Sequence, residues 1–292
     1  MDTVIVRARG LDFPALVQGE GPLVLCLHGF PDCLRSFRHQ LPALAAGGFR
    51  AVAPALRGYA PSCAGALSDA HALEAARDVA ALVTALGEER AFLVGHDWGA
   101  AVAYLAAALA PSRFTALCTL SVPHPLGLVA ALPRHPAQLL RSSYMAAFQA
   151  RGLAERLLSL HDMRLIEALW KQWSPNFAPE PSELQAVKRT LAAPGVLSRT
   201  LAYYRALPKL RGAPLTEARA LLGTPVMPPV LGIVGENDGC IAADVFCAAM
   251  EPKRFRDVRT LTIAGAGHFV HQEKPNAVND ALLPWLHSQR SP

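Results

Sequence analysis

Three side chains that could carry out nucleophilic catalysis together lie far apart in the sequence, and the first of them is an aspartate. Asp97 is the middle residue of the segment "GHDWG" (95–99), between a short apolar stretch and an Ala-rich stretch that ends at Pro111. A strand that turns sharply into a helix at such a segment directs its middle side chain outward, and this position usually holds a serine. A carboxylate there suits attack on saturated carbon, because it forms an ordinary alkyl ester. We therefore expect Asp97 to be a nucleophile.

An alternative is that Asp97 only caps the following helix, as many aspartates do. The positive end of the helix dipole would stabilise a carboxylate under either hypothesis. Glycines at positions 95 and 99 allow the backbone to close tightly around residue 97. Together with the apolar strand in front of the turn, they favour the nucleophile.

A second carboxylate and a histidine follow two later apolar segments. Asp238 lies in "GENDGC" and His268 lies in "GAGHF". The order Asp97, Asp238, His268 is the order nucleophile, acid, base of one hydrolase architecture, and the ends of parallel strands bring such residues to one edge of a sheet. We expect His268 to be the base and Asp238 to be the acid that orients it. Glu236 competes with Asp238 for that role.

The segment "LHGFPD" (27–32) follows another apolar stretch. A loop there can direct a backbone N–H toward the turn at residue 97. The amides of Phe30 and Trp98 would then converge on one oxygen and form an oxyanion hole. An ordinary strand-to-helix loop, with Gly29 and Pro31 as turn formers, is the alternative.

Together these segments resemble a known family. The stretches "HGFPD", "LRGYAPS", "GHDWGA", "VPHP", "GENDG" and "GAGHF", in that order and spacing, resemble the α/β-hydrolases of the epoxide hydrolase branch, which is sister to the haloalkane dehalogenases. The resemblance covers nearly the whole chain. It departs from the family near "LRGYA", where Ala55 and Ala60 differ from the common pattern, and this puts the subgroup in doubt rather than the mechanism.

The resemblance also implies that two tyrosines of a helical cap hold the epoxide oxygen. "SYMAAFQ" matches the first tyrosine stretch and gives Tyr144, and "YYR" matches the second and gives Tyr204, with Tyr203 packing inward. Core packing is the alternative for both, because aromatic residues at helical spacing usually lie in a core. Substrate-binding residues implied at the same site are Phe30, Trp98 and Phe269.

The arrangement of apolar segments predicts the fold. Continuous apolar strands alternate with helical segments before residue 125 and return after residue 229, which indicates a parallel sheet covered on both faces. The segment between them shows helical stretches broken by Pro-containing loops. We therefore expect an α/β fold of the α/β-hydrolase type, with a mostly parallel eight-stranded sheet. Its core should comprise residues 1–125 and 214–292, and residues 126–213 should form a helical cap inserted into it.

The expected activity is cofactor-independent opening of an epoxide to a vicinal diol through an ester on Asp97, which water activated by His268 and Asp238 then hydrolyses. The first alternative is a haloalkane or haloacid dehalogenase that uses the same Asp97. Trp98 would be one halide donor, but Phe30 stands where a second donor is often found. A non-catalytic ligand-binding relative is the second alternative. We expect no metal, because "HFVH" (268–271) offers only two histidines without a third ligand.

Composition limits the remaining possibilities. The formal net charge is +5, and the basic residues are scattered, which argues against a nucleic-acid partner. The N-terminus lacks the apolar region of a signal peptide, no stretch is long enough to span a membrane, and none of the six cysteines forms a C-x-x-C pair. We expect a cytoplasmic protein whose partners are a small apolar epoxide and water, and a homodimer is compatible with these observations.

Overall fold

The fold is built on a single eight-stranded sheet, seen in a computed structural model that describes residues 1–207 and 213–290. The strand order is β1-β2-β4-β3-β5-β6-β7-β8, and only β2 runs antiparallel to its neighbours. The strands are β1 (Asp2–Ala8), β2 (Leu11–Gln18), β3 (Leu23–Leu27), β4 (Arg50–Pro54), β5 (Ala91–His96), β6 (Phe114–Leu120), β7 (Val230–Gly235) and β8 (Val258–Ile263).

Helices lie on both faces of the sheet and in the long connection between β6 and β7. The α-helices are α1 (Gln40–Ala46), α2 (Ala72–Ala85), α3 (Trp98–Leu109), α4 (Pro125–Ala131), α5 (Ala137–Arg141), α6 (Tyr144–Ala147), α7 (Leu153–Ser159), α8 (Arg164–Trp173), α9 (Pro181–Ala192), α10 (Val196–Ala206), α11 (Ala213–Leu222), α12 (Ala243–Ala249), α13 (Val270–Glu273) and α14 (Pro275–Ser288). Short 3-10 helices occupy Pro61–Cys63, Leu67–Asp69, Pro111–Arg113, Leu132–Arg134 and Pro252–Arg254.

The central strands are buried on both sides, and their side chains alternate between two apolar clusters. Leu25 and Leu93 belong to the cluster that α2, α3 and α12 cover, whereas Val24 and Val94 belong to the cluster that α1 and α14 cover. This alternation is the two-residue period of a strand, and burial on both faces explains why β3 and β5 are continuously apolar. The predicted fold class is confirmed.

Strand β1 was not predicted from the sequence. It lies at the edge of the sheet, and four of its seven residues are exposed, so it lacks the continuous apolar run that identified the central strands. The connection from β6 to β7 contains α4–α11 and no described strand. The cap boundaries at 126 and 213 remain predictions, and residues 208–212 of that segment lie outside the described residues. Within the described part of the chain, every helix is too short or too polar to traverse a lipid bilayer.

Candidate active site

Asp97 occupies a strained turn between β5 and α3. Its φ of 52° and ψ of −121° lie in a backbone region that residues other than glycine rarely adopt. The turn closes because its flanking glycines approach other backbone: a Cβ on Gly99 would collide with the carbonyl of Leu27, and a Cβ on Gly95 would collide with the carbonyl of Gly99. The strand-to-helix motif predicted this geometry, and it directs the Asp97 side chain away from the sheet.

The two oxygens of the Asp97 carboxylate have different surroundings. Oδ1 accepts a hydrogen bond of 2.7 Å from the backbone N–H of Phe30. A Cβ on Gly29 would collide with this oxygen and would lie 2.5 Å from the amide nitrogen of Trp98. Oδ2 lies 3.6 Å from Nε2 of His268. One oxygen therefore sits at the loop predicted to form the oxyanion hole, and the other faces the histidine.

Asp238 and His268 meet at the carboxyl ends of β7 and β8. Nδ1 of His268 lies 3.0 Å from Oδ2 and 3.2 Å from Oδ1 of Asp238, which makes Nδ1–H the donor and leaves Nε2 facing Asp97. Asp238 Oδ1 also accepts the N–H groups of Cys240 at 2.7 Å and Ile241 at 2.9 Å. These three hydrogen bonds hold the Asp238 carboxylate in one orientation, and the carboxylate in turn orients the His268 imidazole. Glu236 instead accepts the N–H of Gly265 at 2.9 Å, at an exposed position.

The charges around His268 set its protonation state. Burial lowers the pKa of His268, but the opposite charges of Asp238 and Asp97 and its hydrogen bond to Asp238 outweigh this and raise the pKa to about 10. At neutral pH the resting imidazole is therefore protonated. It can act as a base only after one of the two negative charges has been removed.

The two tyrosines from the connection between β6 and β7 lie together above the elbow. The rings of Tyr144 and Tyr204 are 5.8 Å apart, and Tyr204 packs edge-on against Phe30 at 5.6 Å and Trp98 at 5.1 Å. Burial and then neighbouring groups, among them Asp97, raise the pKa of both hydroxyls well above the usual value. Tyr203 points elsewhere, since its hydroxyl donates to the Arg57 carbonyl.

The hydroxyl of Tyr204 is buried and makes no hydrogen bond of regular geometry among the described residues, although the Trp98 indole lies close enough to lower its pKa slightly. The hydroxyl of Tyr144 lies 3.5 Å from the sulfur of Cys240. A buried polar group normally has a partner, because leaving it unpaired costs free energy. Two phenols above a carboxylate, one of them unpaired, are suited to receive a hydrogen-bond acceptor from a ligand.

A cavity of about 1230 Å³ opens above these groups. Asp97, Trp98, Tyr144 and Tyr204 line it, and most of its other lining residues are apolar, among them residues from α3, α4 and α11. Phe269, expected to contact substrate, is fully buried behind His268, where its ring stacks on Trp170 at 3.9 Å. The structure therefore places Phe269 outside the cavity lining.

Sequence reasoning missed the contacts that tie the segment after β6 to the catalytic loops. The carbonyl of Trp173, the last residue of α8, accepts the N–H groups of Gly239 at 2.9 Å and His268 at 3.0 Å. The next residue, Ser174, donates to Glu273 at 2.6 Å, and Glu273 accepts the N–H of Gly267 at 2.8 Å. A backbone carbonyl leaves no signal in one sequence, so these contacts could not be predicted.

A buried network behind the site was also missed. Three buried side chains have possible metal-ligand atoms within 4.8 Å of one another, a spacing that could hold a metal ion: those of Asp32, His96 and His271. Asp32 already accepts from Cys33 N–H, the Ser36 hydroxyl and the Gln272 amide, each at 2.7 Å. Nε2 of His271 lies 2.8 Å from the Ser36 oxygen, and Nε2 of His96 lies 3.0 Å from the carbonyl of His268. These contacts form a hydrogen-bonded network that supports the backbone of His268.

Comparisons with known proteins agree with this geometry. Residues 24–281 match the family model described as "Alpha/beta hydrolase family". The chain is 31% identical over 292 residues to Epoxide hydrolase 4 of Mus musculus, covering 97% of this chain and 78% of that one. It is 31% identical over 338 residues to Epoxide hydrolase A of Mycobacterium tuberculosis, covering 97% and 96% of the two chains.

A solved structure described as an epoxide hydrolase from an endophytic Streptomyces aligns with a TM-score of 0.83 at 30% identity, covering 98% of this chain and 95% of that one. The family match spans the elbow, the loop after β3 and the loops after β7 and β8. All the candidate catalytic groups therefore lie within the matched region.

Proposed function

This chain belongs to the α/β-hydrolase family and, within it, to the epoxide hydrolase branch, and on that premise we propose that it opens an epoxide to a vicinal diol without a cofactor. One observation carries the proposal: the elbow holds a carboxylate whose Oδ2 lies 3.6 Å from the Nε2 of a histidine. We propose further that residues 126–213 form the cap, and that substrate binds between this cap and the carboxyl edge of the sheet.

In the first step, Oδ2 of Asp97 attacks a ring carbon of the epoxide. The carbon–oxygen bond of the ring breaks, its electron pair stays on oxygen, and a hydroxyl of Tyr144 or Tyr204 donates a proton to that oxygen. The phenols supply this proton because they face the cavity and Tyr204 has no other partner among the described residues. The step leaves an alkyl ester on Asp97 and a phenolate.

Ester formation changes the state of His268. It removes the Asp97 charge, which is one of the two charges that hold the His268 pKa at about 10. The pKa of His268 then falls, and its proton can pass to the phenolate. This leaves both tyrosines neutral and His268 neutral, so that Nε2 can accept a proton from water.

In the second step, water activated by His268 attacks the carbonyl carbon of the Asp97 ester. The oxygen that becomes negative lies where Oδ1 now accepts the Phe30 N–H, beside the amide nitrogen of Trp98. Those amides stabilise the tetrahedral intermediate. The ester bond then breaks, and the leaving oxygen takes from His268 the proton that came from water, so that the diol leaves. The carboxyl proton of Asp97 passes to His268, and Asp97 retains one oxygen from water.

A dehalogenase using the same Asp97 is the second candidate, and one observation favours it. The indole N–H of Trp98 is buried, lines the cavity and has no partner within the described residues, so it could bind a halide. The side chain of Phe30 offers no second donor, whereas two phenols stand ready for an epoxide oxygen. We therefore favour the epoxide.

A single turnover in heavy-oxygen water tests the ester. We expect an aryl or alkyl epoxide to yield diol and the peptide containing Asp97 to gain label, because the water oxygen enters the carboxylate. A bromoalkane serves as the control substrate and should release no bromide. Diol formation without label in that peptide would contradict the mechanism, and bromide release without diol formation would indicate the dehalogenase. No turnover of either substrate would favour the non-catalytic alternative.

The His268→Gln variant isolates the intermediate. Without a base the ester should persist, and the mass of the intact protein should rise by the mass of the epoxide. The matched Asp97→Ala variant should gain no mass and have no turnover. A mass gain in Asp97→Ala would place the adduct on another residue and refute the assignment of Asp97.

A further inference from the structure

The mouth of the catalytic cavity is rimmed by apolar side chains that are open to solvent. Leu67, Val129 and Leu139 line the cavity, yet they are 50%, 60% and 58% exposed. The next residue, Leu140, is 77% exposed and does not line the cavity. These four residues, here called the mouth rim, come from a 3-10 helix after β4, from α4 and from α5. Three of them line one cavity and are exposed, so each lies where that cavity opens to solvent.

An exposed cluster of large apolar side chains is unusual on a soluble surface and marks a place that contacts another apolar phase. The interior of the cavity does not require it, since its deeper walls are already apolar. The rim therefore needs an explanation of its own.

Four exposed arginines lie around the mouth rim, together with two carboxylates, that of Glu251 near Arg134 and that of Asp244 beside His135. Arg134 and Arg141 flank Leu139 and Leu140 in sequence, Arg151 and Arg219 line the cavity, and all four are exposed. Among the described residues, the carboxylates of Asp97 and Glu155 line the cavity, and that of Glu155 pairs with Arg205 at 2.6 Å. Segment 126–213 holds twelve of the 28 Lys and Arg residues but only five of the 23 Asp and Glu residues. The segment is thus formally +7, whereas the rest of the chain is −2.

We propose that the mouth rim docks on an anionic lipid surface. Exposed leucines can enter the boundary between headgroups and acyl chains, and the surrounding arginines are attracted to anionic headgroups. A second copy of the chain fits less well, because a symmetric contact would bring the same cluster of arginines face to face. If the proposed function holds, an apolar epoxide dissolved in the bilayer could enter the cavity directly.

Sedimentation of the full chain with phosphatidylcholine vesicles, with and without phosphatidylglycerol, tests the docking. We expect binding to vesicles that contain phosphatidylglycerol, much weaker binding to phosphatidylcholine alone, and a decrease with added salt. Leu140→Gln should weaken binding about tenfold, because the leucine no longer enters the lipid. Arg134→Glu should weaken it about fivefold or more.

Two exposed residues that do not line the cavity provide matched controls. Ile5 on β1 and Arg259 on β8 are exposed, and Ile5→Gln and Arg259→Glu should bind vesicles as the parent does. Equal losses in the rim and control variants would overturn the proposal, as would equal binding to both kinds of vesicle or no binding at all. A dimer in solution that Leu140→Gln dissociates would assign the rim to a second copy and would also overturn it.

Experiments can refute the docking proposal and the proposed function independently of each other. Leu140 takes no part in the catalytic site, so Leu140→Gln should hydrolyse a water-soluble epoxide as the parent does while it loses binding to vesicles. A parent chain that binds vesicles and turns over no epoxide would retain the docking and refute the function.

Discussion

At residue 97 the chemical type of the side chain decides the reaction class. A serine at an elbow attacks carbonyl carbon, whereas the Asp97 carboxylate is suited to saturated carbon. Its Oδ1 accepts the Phe30 N–H at 2.7 Å, so under the proposed mechanism the oxygen that would become the oxyanion has a donor before the reaction begins. The Phe30 amide does not have to reorient when the negative charge develops, and such preorganised donors are effective for this reason.

The two cavity tyrosines should share the work of opening the ring. Tyr144→Phe and Tyr204→Phe should each slow ester formation by about 10- to 100-fold, because one phenol remains, and the double variant should lose nearly all activity. The rate of ester formation in a single turnover, rather than steady-state turnover, measures this step directly.

Tyr203→Phe is the matched control for these variants. It removes a hydroxyl of the same type from the neighbouring residue, but that hydroxyl donates to the Arg57 carbonyl at 2.9 Å. We expect Tyr203→Phe to reduce stability by about 1 kcal/mol and to leave the rate of ester formation unchanged. A loss of ring opening in Tyr203→Phe equal to that in Tyr204→Phe would show that the effect comes from packing.

At the scale of single residues, the sequence predicted candidate site residues where a polar side chain follows an apolar strand. Asp238 and His268 could be found because each follows a strand end, and strand ends share one edge of the sheet. The sequence did not predict the contact between Cys240 and Tyr144, whose sulfur and hydroxyl are 3.5 Å apart. That contact depends on where α6, which is far from Cys240 in sequence, packs in the fold. Phe269 was expected to contact substrate, but its ring stacks on Trp170 and packs edge-on against the ring of His268, a tertiary contact that the sequence does not reveal.

At the scale of elements, the packing of α3 against β3 and β5 holds the elbow closed. Gly99 lies in the first turn of α3, where a Cβ would collide with the carbonyl of Leu27 and lie 2.7 Å from that of His28. Backbone on both sides cannot move without separating the helix from the sheet. The glycine is therefore required by close approach rather than by its own dihedral angles.

Gly99→Ala should lower the free energy of unfolding by about 3 kcal/mol or more, because the methyl group overpacks a contact between backbones. Urea denaturation measures this change. Gly47→Ala is the matched control, since its Cβ would meet only the end of the Leu283 side chain, which can rotate away. A smaller loss in Gly99→Ala than in Gly47→Ala would contradict the close packing of α3 on the sheet.

Burial made the central strands predictable from sequence, whereas β8 was predicted although four of its six residues are exposed. Strands β3, β5 and β7 are buried along their whole length and form apolar runs, so the sequence predicted them. Strand β1 and its exposed residues could not be distinguished from a loop, because an edge strand exposes much of its surface. Residues that are distant in sequence decide by their packing which helices of the segment after β6 cover the site. The spacing of apolar residues within a helix does not reveal this packing.

At the scale of the whole molecule, buried histidines make stability depend on pH. Nε2 of His28 accepts the N–H of Leu56, so this ring must stay neutral, and burial lowers its pKa to about 4. Burial likewise lowers the pKa of His124 to about 4 and holds those of His96 and His271 well below the usual value. Two carboxyl groups oppose them, because burial raises the pKa of Asp32 to about 6 and raises that of Glu273 above its usual value.

The sign follows from which state binds protons. Below a pH of about 6.5 the unfolded chain protonates its histidines, whereas the folded chain keeps these four neutral, so acidification favours unfolding. Asp32 has the opposite effect between pH values of about 4 and 6, since only the folded chain then holds its proton. His268 also opposes the fall above a pH of about 6, because the folded chain is then more fully protonated there than the unfolded chain. The four neutral histidines outweigh His268 and the two carboxyl groups, and stability should fall as the pH decreases.

We expect the free energy of unfolding at pH 5 to be lower than at pH 7 by about 2 kcal/mol or more, as urea denaturation at the two pH values would measure. His124→Gln should reduce this difference by about 1 kcal/mol or more, because one buried neutral imidazole is gone and an acceptor remains for the Gly127 N–H. His161→Gln, at an exposed position, should leave the difference as it is in the parent. A protein equally stable or more stable at pH 5 would mean that these four rings are not held neutral by the fold.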